Sequence, residues 1–334
     1  MSASIAVVAG VFDSFGAVWE SDILRRALLE AAVVGAIGGA IGIHISLRRM
    51  AFTTMALTHA TFPGIVLAAV LGVNLLAGSA IFGLALVLAL AALGRVRQLD
   101  TSTTTGVLLA GGFALGVLLL SAQDGFAKDL TSFLVGSILT TTNAELAVTV
   151  IGGAVLALVL AVFSKELIFS AFDPVGAEAQ GFSLGRLDLI VLLALEATLV
   201  LTIPSVGTLL SVSLLVGPAT IARLWTDHLR RAMVIAPLIG AAFAMAGIVI
   251  SHAADTAAGA TIAVIIGLGF AVSLGLTSAP VRRFFGQLPR SRHHELRPAH
   301  EQPTTSPSAR PVSPGKVSRH GLGRRAAQET ELVR

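Results

Sequence analysis

The chain has 334 residues, 54% of them apolar and only 13% charged, with a mean hydropathy of +0.86. A soluble domain is about one quarter charged, so this composition argues against a water-soluble fold, and the absence of cysteine removes disulfides, thiolate metal sites and cysteine nucleophiles. The formal net charge of +4 does not point to nucleic acid, because the basic residues gather at the ends of apolar stretches and in the C-terminal region, where membrane orientation and solvation require them.

In chain order, residues 1–27 begin mildly apolar and become amphipathic from Val11 to Arg26, with Trp19 at an interfacial position. Residues 1–22 carry no Lys or Arg, so no cleaved leader is expected. Apolar stretches of membrane-crossing length then recur through residues 28–280, and their lack of apolar/polar alternation makes them helices rather than barrel strands. Nine spans are expected, near residues 28–47, 55–72, 75–94, 105–122, 144–163, 187–203, 205–222, 232–251 and 258–277. Residues 130–142 are apolar but too short to cross, and read as a re-entrant or interfacial helix.

Charge sets the expected orientation. With the C-terminus inside, inner loops carry Arg48, Arg49, Arg95, Arg97, Lys165, Arg186, Arg223, Arg230 and Arg231, whereas the loops between spans on the outside carry only Lys128. Nine spans place Arg25 and Arg26 outside, a conflict that pairing of Arg26 with Glu30 one turn on would soften. Residues 286–334 turn to Pro, Ser, Arg, His and Glu and read as a disordered cytoplasmic tail. Its Gly321, Gly323 and Ala326 match a dinucleotide-binding spacing that no strand precedes, so the match is noise.

No GxxxxGK[ST] loop is present, so the chain is not expected to be an enzyme, and any ATP hydrolysis belongs to another chain. His59 enters a span and is followed by Pro63 and Gly64; a proline frees a backbone carbonyl beside the imidazole, a reasonable place to hand over a cation. Met55 shares its helical face, as a soft ligand or as packing. Glu196 lies mid-span in LDLIVLLALEATLVL and must face a partner, water or a pore. His44 fits interfacial packing, and His252 with Asp255 fit either a metal-receiving mouth or helix capping. Gly35 with Gly39, and Gly38 with Gly42, give overlapping GxxxG spacings that favour close helix approach.

The order of segments resembles the permease subunits of zinc/manganese-type metal ABC importers. The resemblance runs from LRRMAF at 47–52 into LTHATFPG at 57–64, then FLVGSIL at 133–139, FDPVGAEAQGFSLGRLDL at 172–189, SVGTLLSVSLLVGPATIARL at 205–224 and GATIAV at 259–264. It implies an all-α polytopic fold of about eight or nine transmembrane helices in a bacterial inner membrane. The implied partners are a cytoplasmic ABC ATPase, an extracytoplasmic metal-binding protein and a second permease subunit, as a homodimer. His59, Glu196 and Met55 are read from their own chemistry as the candidate metal pathway, His59 leading and Glu196 second, while the resemblance implies that Asp173, Pro174, Ala179 and Gly181 lie on a cytoplasmic coupling helix. The family often has an aspartate where Met55 stands and another acidic residue near Ser102, so imidazole and thioether donors here favour zinc over manganese. Two rival readings share these residues: a proton-coupled secondary transporter working through Glu196 and His59, and an ABC permease for a metal chelate.

Overall fold

A computed structural model describes residues 21–94, 100–122 and 136–277. Most of the expected N-terminal segment, the loop carrying Arg95 and Arg97, Lys128 and the expected tail at 286–334 lie outside the described residues. Within them the chain is all-helical. The helices are α1 (Asp22–Leu47), α2 (Ala51–Ala60), α3 (Phe62–Leu71), α4 (Leu75–Leu93), α5 (Thr101–Ser121), α6 (Asn143–Val162), α7 (Ser164–Phe172), α8 (Pro174–Ala179), α9 (Leu184–Trp225), α10 (Leu229–Ala254) and α11 (Ala258–Thr277), with a 3₁₀ turn at Ile138–Thr140.

The boundaries follow local chemistry. Asn74 and Asp100 accept backbone N–H groups at the starts of α4 and α5, and Thr142 with Glu145 forms a capping box on α6. Gly72, at φ 65°, closes α3 in the left-handed region. Among the described residues eight helical segments are long and apolar enough to cross a membrane, with α2 and α3 counted as one; Leu210–Trp225 is a shorter apolar helix.

That shorter helix is the second arm of α9. At one end of the first arm Asp188 meets Arg48 at the end of α1, and at the other Leu201 and Ser205 lie beside Glu30 in a shared cavity, so this arm runs antiparallel to α1. Beyond Gly207, Leu214 abuts Gly38, and Leu215 and Ala219 abut Gly42, so the second arm runs parallel to α1. The reversal occurs at Gly207, whose φ 77° and ψ 171° form a combination open essentially to glycine alone. The spans expected at 187–203 and 205–222 are thus the two arms of a hairpin. Gly136, at φ 73°, lies so close that a methyl group on it would overlap the Gly207 nitrogen, and Ser137 N–H donates to the Ser205 carbonyl at 2.9 Å. The described part of the expected re-entrant piece is therefore a turn packed on this hairpin, and it does not cross.

Helix α1 is the centre of the bundle. Its Gly35 touches Gly240 and its Gly39 touches Ala236 of α10, while Gly38 and Gly42 touch the second arm of α9. The two overlapping GxxxG spacings thus serve two different neighbours, as small residues do where backbones approach closely in lipid. A methyl group on Gly39 would overlap the Ala236 carbonyl, whereas Gly267 has open space around it. Gly39→Ala should therefore cost about 1–3 kcal/mol by overpacking, while Gly267→Ala should be neutral or slightly stabilising. Thermal unfolding of the two purified variants checks this.

Candidate functional site

Helices α2 and α3 form one broken span. Pro63 stands in the first turn of α3 and carries no N–H for the carbonyl four residues back, that of His59. The hydroxyls of Thr54, Thr58 and Thr61 return to the carbonyls of Met50, Thr54 and Leu57, a pattern that satisfies threonine in a membrane helix and bends it.

Thr61 also lies 2.9 Å from Glu196 Oε1. Glu196, on the first arm of α9, is 4% exposed and fits against α4 because Gly83 has no side chain; a methyl group there would overlap the carboxylate. Its Oε2 finds no hydrogen-bond partner among the described residues. On its other side Glu196 borders a groove of about 560 Å³ between α4, α6 and α9, lined otherwise by apolar residues.

His59 faces elsewhere. It is half-buried, its ring meets Phe113 of α5 edge-on with centroids 5.8 Å apart, and its Nδ1 has no hydrogen-bond partner among the described residues. Met55, one turn earlier, is 42% exposed. The structure therefore groups Met55 with His59 on the α5 side of α2 and puts Glu196 on the α9 side. It does not bring the three together.

Asp173, Pro174, Ala179 and Gly181 do come together. Asp173 accepts the Gly176 N–H at 2.8 Å, Pro174 opens α8 and Gly181 follows it at φ 88°. Ala177 is buried beneath the helix, while Phe172, Val175 and Ala179 are exposed. The result is a short, capped helix held by one buried contact, with Phe172, Val175 and Ala179 beside Asp173 and Glu178 on its exposed surface.

A model of the ABC 3 transport family matches residues 20–276, most of the chain. The chain belongs to that family. Among relatives of this ABC 3 protein, the manganese transport system membrane protein MntC of Listeria monocytogenes is 32% identical over 253 residues, covering 75% of this chain and 89% of its own. The manganese import system permease protein ScaB of Streptococcus gordonii is 31% identical over 261 residues, covering 78% and 93%. The solved structure of PsaBC from Streptococcus pneumoniae in complex with Fab superposes with a TM-score of 0.74 at 28% identity, covering 83% of this chain and 99% of that one. The expected fold, a multi-pass permease of the metal ABC importer type, is the one found.

Other residues of the ABC 3 permease are placed differently from expectation. Arg26 does not reach Glu30: its Nε donates to the Asp22 carbonyl, and Arg25 pairs with Asp22. Glu30 points into the bundle, 1% exposed, and accepts from Thr149 of α6 at 3.0 Å. Asp255 is the left-handed cap of α10, which supports capping over a metal-receiving mouth, and His44 is buried. Arg48 and Asp188 entered the sequence reading only as charge and as part of a segment. In the fold Arg48 meets Asp188 of α9 and donates to Ser170 Oγ at 2.8 Å and to the Leu167 carbonyl at 3.3 Å. It ties α7, and through it α8, to α1 and α9. Arg48→Ala should cost about 1–3 kcal/mol through these charged hydrogen bonds, read by thermal unfolding, with Arg48→Lys recovering part of the loss.

Proposed function

We propose that this chain forms the gated path of an ATP-driven divalent metal importer. The observation that carries the reading is the partly buried His59 at a proline-broken span, whose buried Nδ1 has no hydrogen-bond partner among the described residues. An imidazole with an available lone pair can accept a divalent ion, and one or two donors per chain bind it briefly enough to let it leave. Met55 adds a thioether on the same face. Phe52 and Met55 are exposed on α2, leaving this face for a second permease subunit, so that two His59 side chains flank one path. In this reading membrane lipid covers the remaining apolar surface.

The chain is a transport subunit and hydrolyses no ATP itself. The short α8 helix, exposing Val175 and Ala179 beside Glu178 and linked through α7 to Arg48, is the docking element for a cytoplasmic ATPase. Arg48, Arg49, Lys165, Arg186, Arg223, Arg230 and Arg231 share the α8 end of the bundle, which supports a reading in which that end faces the cytoplasm of a bacterial inner membrane, with the C-terminal tail on the same side. An extracytoplasmic metal-binding protein then delivers its ion at the Gly207 end. Separation of His59 from Glu196 onto different faces of α2 speaks against a proton relay linking the two in a secondary transporter.

Manganese is the cargo favoured by the relatives, whose names carry that metal. Met55 supports a second reading, zinc, because imidazole and thioether suit a softer ion than carboxylate oxygen does. In vesicles holding the whole importer, radiolabelled manganese uptake should resist equimolar zinc; dominance of zinc would select the second reading. Met55→Asp should move preference toward manganese in either case.

His59→Gln keeps size and hydrogen bonding but supplies a poorer ligand, so it should assemble with the ATPase and lose most metal uptake. Uptake near the wild-type rate across metal concentrations would make His59 structural. Ala179→Trp, on the exposed side of α8, should do the reverse, weakening ATPase co-purification while leaving metal binding by the permease unchanged.

A further inference from the structure

A cavity of about 330 Å³, partly polar, opens at the Gly207 end between α1, α4, α6 and the α9 hairpin. Glu30, Glu145, Thr140, Thr141, Ser205 and Asn74 supply its polar wall. Glu30 is 1% exposed, one oxygen accepting from Thr149, while Oε2 has no hydrogen-bond partner among the described residues. Two threonine hydroxyls have committed their hydrogens elsewhere, Thr140 to the Ser137 carbonyl and Thr141 to Ile138, while the Ser205 hydroxyl lies between the Thr202 carbonyl and the Glu30 carboxylate. Asn74 Oδ1 is engaged by Ala77 N–H, and Glu145 Oε2 by Thr142 N–H and Oγ1.

What remains is a wall of lone pairs and two carboxylates. Among the described residues no Lys, Arg or His borders the cavity, and the nearby Arg25 and Arg26 are turned to Asp22. An anion finds little here, since the capping groups of α4 and α6 already occupy the amide donors at those helix starts. A buried carboxylate oxygen without a hydrogen-bond partner is costly to desolvate, a cost that a cation in the cavity would offset.

We infer that this cavity binds a hard divalent cation through oxygen alone, with the Glu30 and Glu145 carboxylates as charged ligands and the Ser205 and threonine oxygens completing the shell. Manganese, magnesium and calcium fit such a donor set, and zinc fits it less well. The site is separate from the His59 face, being built on α1, α6 and α9 rather than on α2 and α5. A cation here ties α1 and α6 to the hairpin turn at Gly207, so its occupancy braces the end of the bundle opposite α8.

The test is manganese binding by the full chain in lipid nanodiscs, following loss of the free aquo-ion signal by electron paramagnetic resonance. The wild type should hold one more tight manganese ion per chain than Glu30→Gln, whose affinity at this site should fall at least about 10- to 100-fold, the loss seen even for groups that merely support a ligand. His59→Gln should retain this ion, without nitrogen modulation of its signal, and excess magnesium or calcium should displace it. Glu145→Gln, which keeps a capping side chain on α6, should weaken it too and guards against a Glu30→Gln chain that fails to fold. Equal binding by wild type and both glutamate variants, or nitrogen modulation of the ion retained by His59→Gln, would overturn the inference. Because the readout is binding in a His59 variant, it can succeed or fail independently of the transport reading.

Discussion

Lipid offers no hydrogen bonds, so each polar group that enters the hydrocarbon must find its partner within the protein or lose several kcal/mol. This constraint explains the pattern of threonine and serine through the bundle. Thr54, Thr58, Thr61, Thr198, Ser211 and Thr220 each return a hydroxyl to the carbonyl one turn earlier. Two of the carboxylates within the spans use the same device: Glu196 takes Thr61 and Glu30 takes Thr149. In both, one oxygen is partnered and the other has no hydrogen-bond partner among the described residues. A carboxylate held on one side alone is poised to exchange its second interaction, whether with a proton or with an ion, while its position in the bundle stays fixed.

The same solvent makes van der Waals contact between helices the main source of cohesion, which is why glycine does so much here. On α1 glycine lets two neighbours, α10 and the second arm of α9, lie almost backbone to backbone on adjoining faces. Gly83 makes room for the Glu196 carboxylate, and Gly207 turns the chain back through the membrane. These are three physically different uses of one residue type: close approach, accommodation of a buried side chain, and a backbone conformation closed to other residues.

How legible was this in the sequence? Spans are legible because hydrocarbon thickness fixes their length, and even the α9 hairpin was foreseen as two spans, although its two arms meet at Gly207 with no loop between them. The α8 segment was legible through Asp173 and Pro174, whose capping chemistry is local. Contacts between distant segments were not. Nothing near Glu30 in the sequence names Thr149, and its apparent partner Arg26 is drawn off to the start of its own helix. Likewise Met55 and Glu196 looked like members of one pathway because both are unusual in apolar surroundings. Which side of α2 each occupies depends on the packing of α5 and α9, and no spacing rule encodes that.

The arrangement of Arg48 shows how a push at α8 could travel. A short helix with one buried residue cannot store much energy of its own, so any force on it passes to what anchors it. Its neighbour α7 is gripped through Leu167 and Ser170 by Arg48, which also meets Asp188 at the start of α9. Arg48 caps α1, and α1 is packed by glycine contacts against α10 and the second α9 arm, too tightly to yield by bending alone. Displacement of α7 is therefore shared between α1 and the first arm of α9, and that arm carries Glu196 against Thr61, two residues from His59. The Arg48 end is thus joined to the broken span by a continuous set of contacts, and the break at Pro63, between α2 and α3, is where the helical ladder of that span is already interrupted.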